Sequence, residues 1–161
     1  MRRSALAVLI AVAVACSPSD TSVAADVQSY LSRVQTWAPV ESEAAQTIER
    51  ILATQFVDEA EVRKQIADAR PRVAAHLETI GKYVPRTSAV ERVHQRYVAA
   101  WGELLTAFAS IERGFETGDY TLLARGREGM ARWKEGVLAV ARDLRRLVEE
   151  YDVELAPPVA S

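Results

Sequence analysis

From Val23 to Tyr151, apolar residues return every three or four positions, the period of an α-helix that buries one face. Val23, Val27, Tyr30, Val34 and Trp37 step by 4, 3, 4 and 3, and the rhythm runs on through Ala44, Ile48, Leu52 and Gln55. Pro39 interrupts this stretch without shifting its phase. A proline inside a helix removes one hydrogen bond and crowds the preceding turn, so residues 22–56 read as one helix kinked at Pro39 or as two collinear segments. A turn at Ala38-Pro39 is the alternative. Asp58, with Glu61 three residues on, has the form of a capping box. It opens a second helix over 59–84, with Val62, Ile66, Ala69, Val73, Leu77, Ile80 and Val84 on one stripe; Pro71 on the opposite face should bend it and Pro85 stops it. Thr87 or Ser88 caps a third helix, with Glu91 placed to close the box. Its stripe is Val90, Val93, Tyr97, Trp101, Leu104, Phe108, Ile111 and Phe115. Gly118 ends it and Asp119 caps a fourth helix, where Leu123, Met130, Val137, Leu144 and Tyr151 recur at heptad spacing and Trp133, Val140 and Leu147 fill the neighbouring line.

Four long segments joined by tight turns near residues 57, 85 and 118 predict an all-α fold. The arrangement expected is an antiparallel, left-handed up-down-up-down four-helix bundle with proline kinks in the first two helices. Strict alternation, the mark of a strand, is absent outside the first residues. Charge points the same way. Residues 20–61 carry Asp20, Asp26, Glu41, Glu43, Glu49, Asp58, Glu59 and Glu61 against Arg33 and Arg50, while residues 125–146 carry Arg125, Arg127, Arg132, Lys134, Arg142, Arg145 and Arg146 against three acids. The first and last helices are neighbours in this topology, and opposite charge favours their pairing, though each exposed pair contributes only about 0–1 kcal/mol.

The ends are of different composition. Met1-Arg2-Arg3 is a basic start, Ala5 to Ala15 is unbroken apolar sequence, and Cys16 closes it. A charged start, a short apolar run and small residues at a cut describe a secretory signal; the run is too short to span a bilayer, which takes about 20 residues. Ala13-Val14-Ala15-Cys16 resembles the lipobox of bacterial lipoproteins, departing from it at Ala13, where that pattern prefers Leu. The resemblance implies that the peptide is cut before Cys16 and the thiol is acylated. Ala13-Val14-Ala15 also reads as an ordinary A-x-A cut. Ser17, which is not Asp, resembles the outer-membrane-sorted kind. Cys16 is the only cysteine, so no internal disulfide can form, and lipidation would consume a thiol that is a liability in an exported protein. The organisation expected is a signal peptide over 1–15, a lipidated Cys16 and short polar linker over 16–21, a bundle over 22–155, and a disordered tail over 156–161 around Pro157-Pro158.

Removing Arg2 and Arg3 leaves 18 basic residues against 22 acidic ones, a charge of about −4. Such a balance has no general pull toward nucleic acid. The best candidates for chemistry are His76 and His94, about equally far before and after the turn near 85. They stand at similar height in a hairpin and inside or beside the core-facing arc, where two imidazoles could hold a metal ion or haem. Met130 points inward on the last helix and could supply an axial ligand. Local hydrogen bonding is the plainer reading of the histidines, and core filling that of Met130. Glu91-Arg92-Val93-His94 is a single Glu-x-x-His, whereas a di-iron bundle uses two. No Cys-x-x-Cys-His, Gly-x-Ser-x-Gly or phosphate-binding loop is present. Gly126, Gly129 and Gly136 sit inside a helical pattern and read as places of close packing, with room for Trp101 or Trp133. Arg142, Arg145 and Arg146 read either as a solvated face opposing the acidic first helix or as a surface for anionic head groups.

The resemblance and the helical pattern together lead one to expect a membrane-anchored, envelope-facing lipoprotein at the outer membrane. The expectation includes no cofactor beyond the lipid, a protein partner in the envelope, and a non-catalytic interaction or assembly role. The alternative is a metal- or haem-binding bundle built on His76 and His94.

Overall fold

The structure is a computed structural model that describes residues 18–154. Residues 1–17, which include Cys16 and the expected signal peptide, and residues 155–161, the expected tail, lie outside the described residues. Four helices follow one another: α1 (Pro18–Ala53), α2 (Glu59–Gly81), α3 (Ser88–Thr117) and α4 (Tyr120–Glu150). No strand occurs among the described residues, so the all-α expectation holds in the form of a four-helix bundle. None of these helices is long and apolar enough to cross a membrane.

The helix boundaries follow from local chemistry and differ from the pattern at two places. α1 begins at Pro18, earlier than the apolar rhythm, because proline suits a first turn whose N–H groups lack helical acceptors. It runs without a break through Pro39, which excludes a turn there. It stops at Ala53 and not at 56. Gln55 and Phe56 take left-handed backbone angles (φ 49° and 61°), and the Thr54 hydroxyl turns back to the Ile51 carbonyl while accepting from the Phe56 N–H. Asp58 then caps α2 by accepting from the Glu61 N–H at 3.0 Å; the Glu61 carboxylate takes a hydrogen bond from Gln65 instead. α2 continues through Pro71 but ends at Gly81, where the Lys82 and Tyr83 N–H groups bond three residues back and tighten the last turn. Val84, expected on the buried stripe, is therefore 81 % exposed, and Tyr83 swings inward in its place.

Thr87 is the cap of α3, and the Glu91 carboxylate bonds Gln95, so the expected box does not close. The turn before α3 is held from outside by Asp26 of α1. This fully buried carboxylate accepts from the Arg86 N–H (3.0 Å), the Thr87 N–H (2.8 Å) and the Thr87 hydroxyl (2.8 Å). Gly118, at φ 68°, closes α3 in the left-handed conformation that glycine takes without strain, and Asp119 caps α4 through the Thr121 N–H.

α3 and α4 share the most intimate seam. A Cβ on Gly129 would stand 2.8 Å from the Ala107 Cβ, and one on Gly126 would meet the Ile111 side chain and, at 2.9 Å, the Ala107 carbonyl oxygen. The glycines are sites of close packing, as expected, but small residues and Ile111 of α3 fill the space, not the tryptophan rings. The charge pairing is not the one expected. Glu43 of α1 pairs with Arg72 of α2, Arg70 with Glu112, and Glu103 of α3 with Arg132 of α4; no ion pair joins α1 to α4 among the described residues. The acidic first helix finds its cation on the helix that follows it in the chain.

Candidate functional site

The middle of the bundle is a layer of rings. Seven-residue spacing puts Tyr30 and Trp37 on one face of α1, and α3 presents His94, Tyr97 and Trp101 at spacings of three and four. α2 adds His76, the turn after it adds Tyr83, and α4 adds Trp133. Trp37 lies nearly flat against Tyr97, with centroids 5.8 Å apart, and meets Tyr30 and Tyr83 edge-on. Trp101 contacts His76 at 4.2 Å and Trp133 at 5.5 Å. Such pairs contribute about 0.5–1.5 kcal/mol each beyond the area they bury.

Polar ends of these rings form two buried links. The Tyr30 hydroxyl lies 3.2 Å from His94 Nδ1. The Tyr97 hydroxyl donates to Glu41 Oε2 at 3.1 Å and lies 3.4 Å from His76 Nε2. With the hydroxyl proton on Glu41, the contact is satisfied by a proton on His76 Nε2, which donates to the Tyr97 oxygen. The order is then His76 to Tyr97 to Glu41, from α2 through α3 to α1.

Burial sets the electrostatics. Both imidazoles are buried, which holds them below their ordinary range; for His94, hydrogen bonding to the backbone of Ile80 and Tyr83 pulls the other way. Burial raises the Glu41 carboxyl and its bond from Tyr97 opposes this. Tyr97 is pushed far up by burial and by the charge of Glu41, and Tyr30 by burial and Tyr83. The Trp101 indole nitrogen is near enough to the Tyr97 hydroxyl to counter part of its shift, yet without the geometry of a hydrogen bond; the indole nitrogen of Trp133 is likewise buried and unpartnered.

Grooves open on both sides of the stretch 36–45 of α1. The groove toward α2, about 370 Å³, has Trp37 and His76 among its walls. The groove toward α4, about 250 Å³, has Glu41 and Trp133. The buried link from His76 to Glu41 therefore runs from one groove to the other.

No family model, curated protein or solved structure matches the chain. What the site does must be argued from its own geometry. His76 and His94 come into the same layer, each in ring contact with Trp37, but each has a nitrogen engaged by a tyrosine hydroxyl. No group of three or more His, Cys, Asp or Glu side chains able to share a metal ion exists among the described residues. Met130 is fully buried on α4, where the heptad puts it. Arg146 joins Arg96 in holding the nearly buried Asp143 carboxylate, while Arg142 and Arg145 are exposed on α4. Cys16 lies outside the described residues.

Three site residues escape the apolar pattern. Glu41 stands four residues after Trp37 and three before Ala44, so it falls on the buried stripe itself, and a carboxylate on that stripe is the signal that finds it. Tyr30 and Tyr97 count as core residues in any periodicity, and nothing local tells which partner their hydroxyls reach.

Proposed function

We propose that the chain is a membrane-anchored, envelope-facing helical-bundle lipoprotein, acylated at Cys16 and acting as a non-catalytic interaction or assembly module at the outer membrane. The observation that carries this reading is the start of α1 at Pro18, two residues after Cys16. A lipid on that cysteine would be joined to a helix and not to a long stalk. Asp26 ties this end of α1 to the turn at 86–87, and Gln28 Nε2 reaches the Glu154 carbonyl at 3.5 Å, so the anchored end gathers the start of α1, the turn before α3 and the end of α4. Two or three acyl chains give stable anchoring at about 0.8 kcal/mol per buried methylene. Arg142 and Arg145, exposed near that end, fit a surface of anionic head groups.

The up-down-up-down order belongs to this reading. It is supported by contacts whose numbers rise along one helix as they fall along the next: Tyr30 with Tyr83 and Glu43 with Arg72; His76 with Tyr97 and Arg70 with Glu112; Arg96 with Asp143 and Glu103 with Arg132. Bends at Pro39 and Pro71 belong to it too, since each proline leaves the carbonyl four residues back without a helical donor. The imidazoles are committed to tyrosine hydroxyls, which supports an interaction role over haem or metal binding. At the far end Val57 and Tyr120 are exposed, as Val84 is at the anchored end; the far end is the one that a lipid on Cys16 would leave open to an envelope protein.

The anchor is tested by producing the chain in a bacterium with two membranes and weighing the mature protein. A first residue Cys16 carrying fatty acid, recovered with the outer membrane and absent in Cys16→Ser, is the expected result. A mature polypeptide in the aqueous fraction with a free Cys16 thiol overturns the reading. For the interaction role, a photo-crosslinker replacing Tyr120 should trap one envelope protein reproducibly, and one replacing exposed Lys64 should not; equal, diffuse adducts from both positions would contradict it.

A further inference from the structure

The groove between α1 and α4 combines an apolar wall with a single carboxylate. Ala38 and Ala45 on α1 face Val137 and the half-exposed Leu138 on α4, and the buried Trp133 closes the bottom. Glu41 is the only acid among the lining residues. One of its oxygens accepts from Tyr97; the other takes no hydrogen bond or ion pair among the described residues. Lys134 stands at the rim, exposed, and does not pair with Glu41. We propose that this groove binds a small amphipathic amine, with the ammonium on the free oxygen of Glu41 and the apolar body along Trp133, Val137 and Leu138.

Three physical arguments meet here. A half-buried carboxylate has lost part of its hydration and gains most from a cation that arrives with its own apolar cover. Desolvation holds the Glu41 carboxyl above its ordinary range, the mark of a charge that lacks a full set of partners. An apolar pocket with one convergent charged group is also the common form of a small-molecule site. A volume near 250 Å³ suits one aromatic ring with a two- or three-carbon tail. The Tyr97 bond holds Glu41 from behind, so the carboxylate is oriented before the ligand arrives. This inference does not depend on the lipid anchor.

The test uses three probes of one shape and different head groups: 2-phenylethylammonium, 2-phenylethanol and 3-phenylpropanoate. Binding to the purified protein is read at neutral pH by calorimetry and by tryptophan fluorescence. The ammonium should bind about tenfold more tightly than the alcohol, the margin of a charge-assisted over a neutral hydrogen bond, and the carboxylate most weakly. Glu41→Gln keeps an acceptor for Tyr97 and should abolish the preference for the ammonium. Leu138→Trp, at a half-exposed position where folding is not at stake, should block all three probes. Equal affinity for ammonium and alcohol, a preference that survives in Glu41→Gln, binding that survives in Leu138→Trp, or no binding of any probe would each overturn the proposal.

Discussion

Along the α3–α4 seam, Gly126, Gly129 and Gly136 let the two helices meet through Ala100, Ala107 and Ile111, with the Glu103 carboxylate the one polar side chain close to these points, beside Gly129. α1 meets its neighbours through large rings with polar ends: Tyr30 to His94, Trp37 on Tyr97, and Glu41 to the Tyr97 hydroxyl. Small residues allow one close approach and no other. Rings and hydrogen bonds hold helices further apart and leave space beside them, which is where the two grooves lie. α1 also carries Pro39 within the stretch 36–45 that lines both grooves. The tight seam is scaffold, and the ring layer holds the two buried imidazoles and the half-buried Glu41.

The severest way to break the comparison is to remove a ring that both regions share. Trp101, fully buried between His76, Tyr97 and Trp133, should cost about 3–5 kcal/mol as Trp101→Ala, read by chemical denaturation. A loss under 1 kcal/mol would mean that the ring layer does not hold the bundle together. Next comes the glycine seam. Gly126→Ala should destabilise by about 1–3 kcal/mol, because its Cβ collides with Ile111 and the Ala107 carbonyl. Gly102→Ala, in open space on α3, should instead stabilise by about 0.5–1 kcal/mol. If both substitutions stabilise, the close approach of α3 and α4 is wrong.

Polar links in the ring layer should have intermediate effects. Tyr97→Phe keeps the stacking on Trp37 but leaves Glu41 and His76 without their shared partner, a loss of about 1–2 kcal/mol. Glu41→Gln in the same background should then add little, since the bond it modifies is already gone; full additivity would separate the two side chains.

The smallest effect is the pH dependence. Both imidazoles titrate below their ordinary value of 6.5 in the folded chain, so as pH falls the unfolded chain binds those protons first. Their contribution is complete above that value and is lost as pH falls through the folded pKa values. Glu41 works the other way: its folded pKa lies above the ordinary 4.5, so its contribution is complete below that value and is lost as pH rises through the folded one. Denaturation midpoints between about pH 5 and about pH 7 should rise with pH, and the rise should flatten in the His76→Gln, His94→Gln double variant. An unchanged slope in that variant would remove the histidines from the account.

The helices and most of the core were legible in the sequence because a 3.6-residue period needs no knowledge of partners. Caps at Asp58, Thr87 and Asp119 were legible for the same reason: each acts within three residues. What escaped the pattern was long-range. Asp26 reads as one more surface acid until the turn sixty residues on is seen resting on it. Val84 keeps the phase of α2 although the helix has ended, since periodicity cannot register hydrogen bonds that tighten the last turn. The histidines, expected inside or beside the core-facing arc, are buried, but which hydroxyl each meets depends on how far apart α1, α2 and α3 stand.

Native-state hydrogen exchange, resolved by residue, tests the contrast between the two regions most directly. Amides of α1 around 36–45 should exchange through openings well below the free energy of global unfolding, while those facing the glycine seam, near 100–111 and 126–137, should exchange only on global unfolding. Equal protection of the two regions, or a fourth helix that opens before the first, would contradict the account.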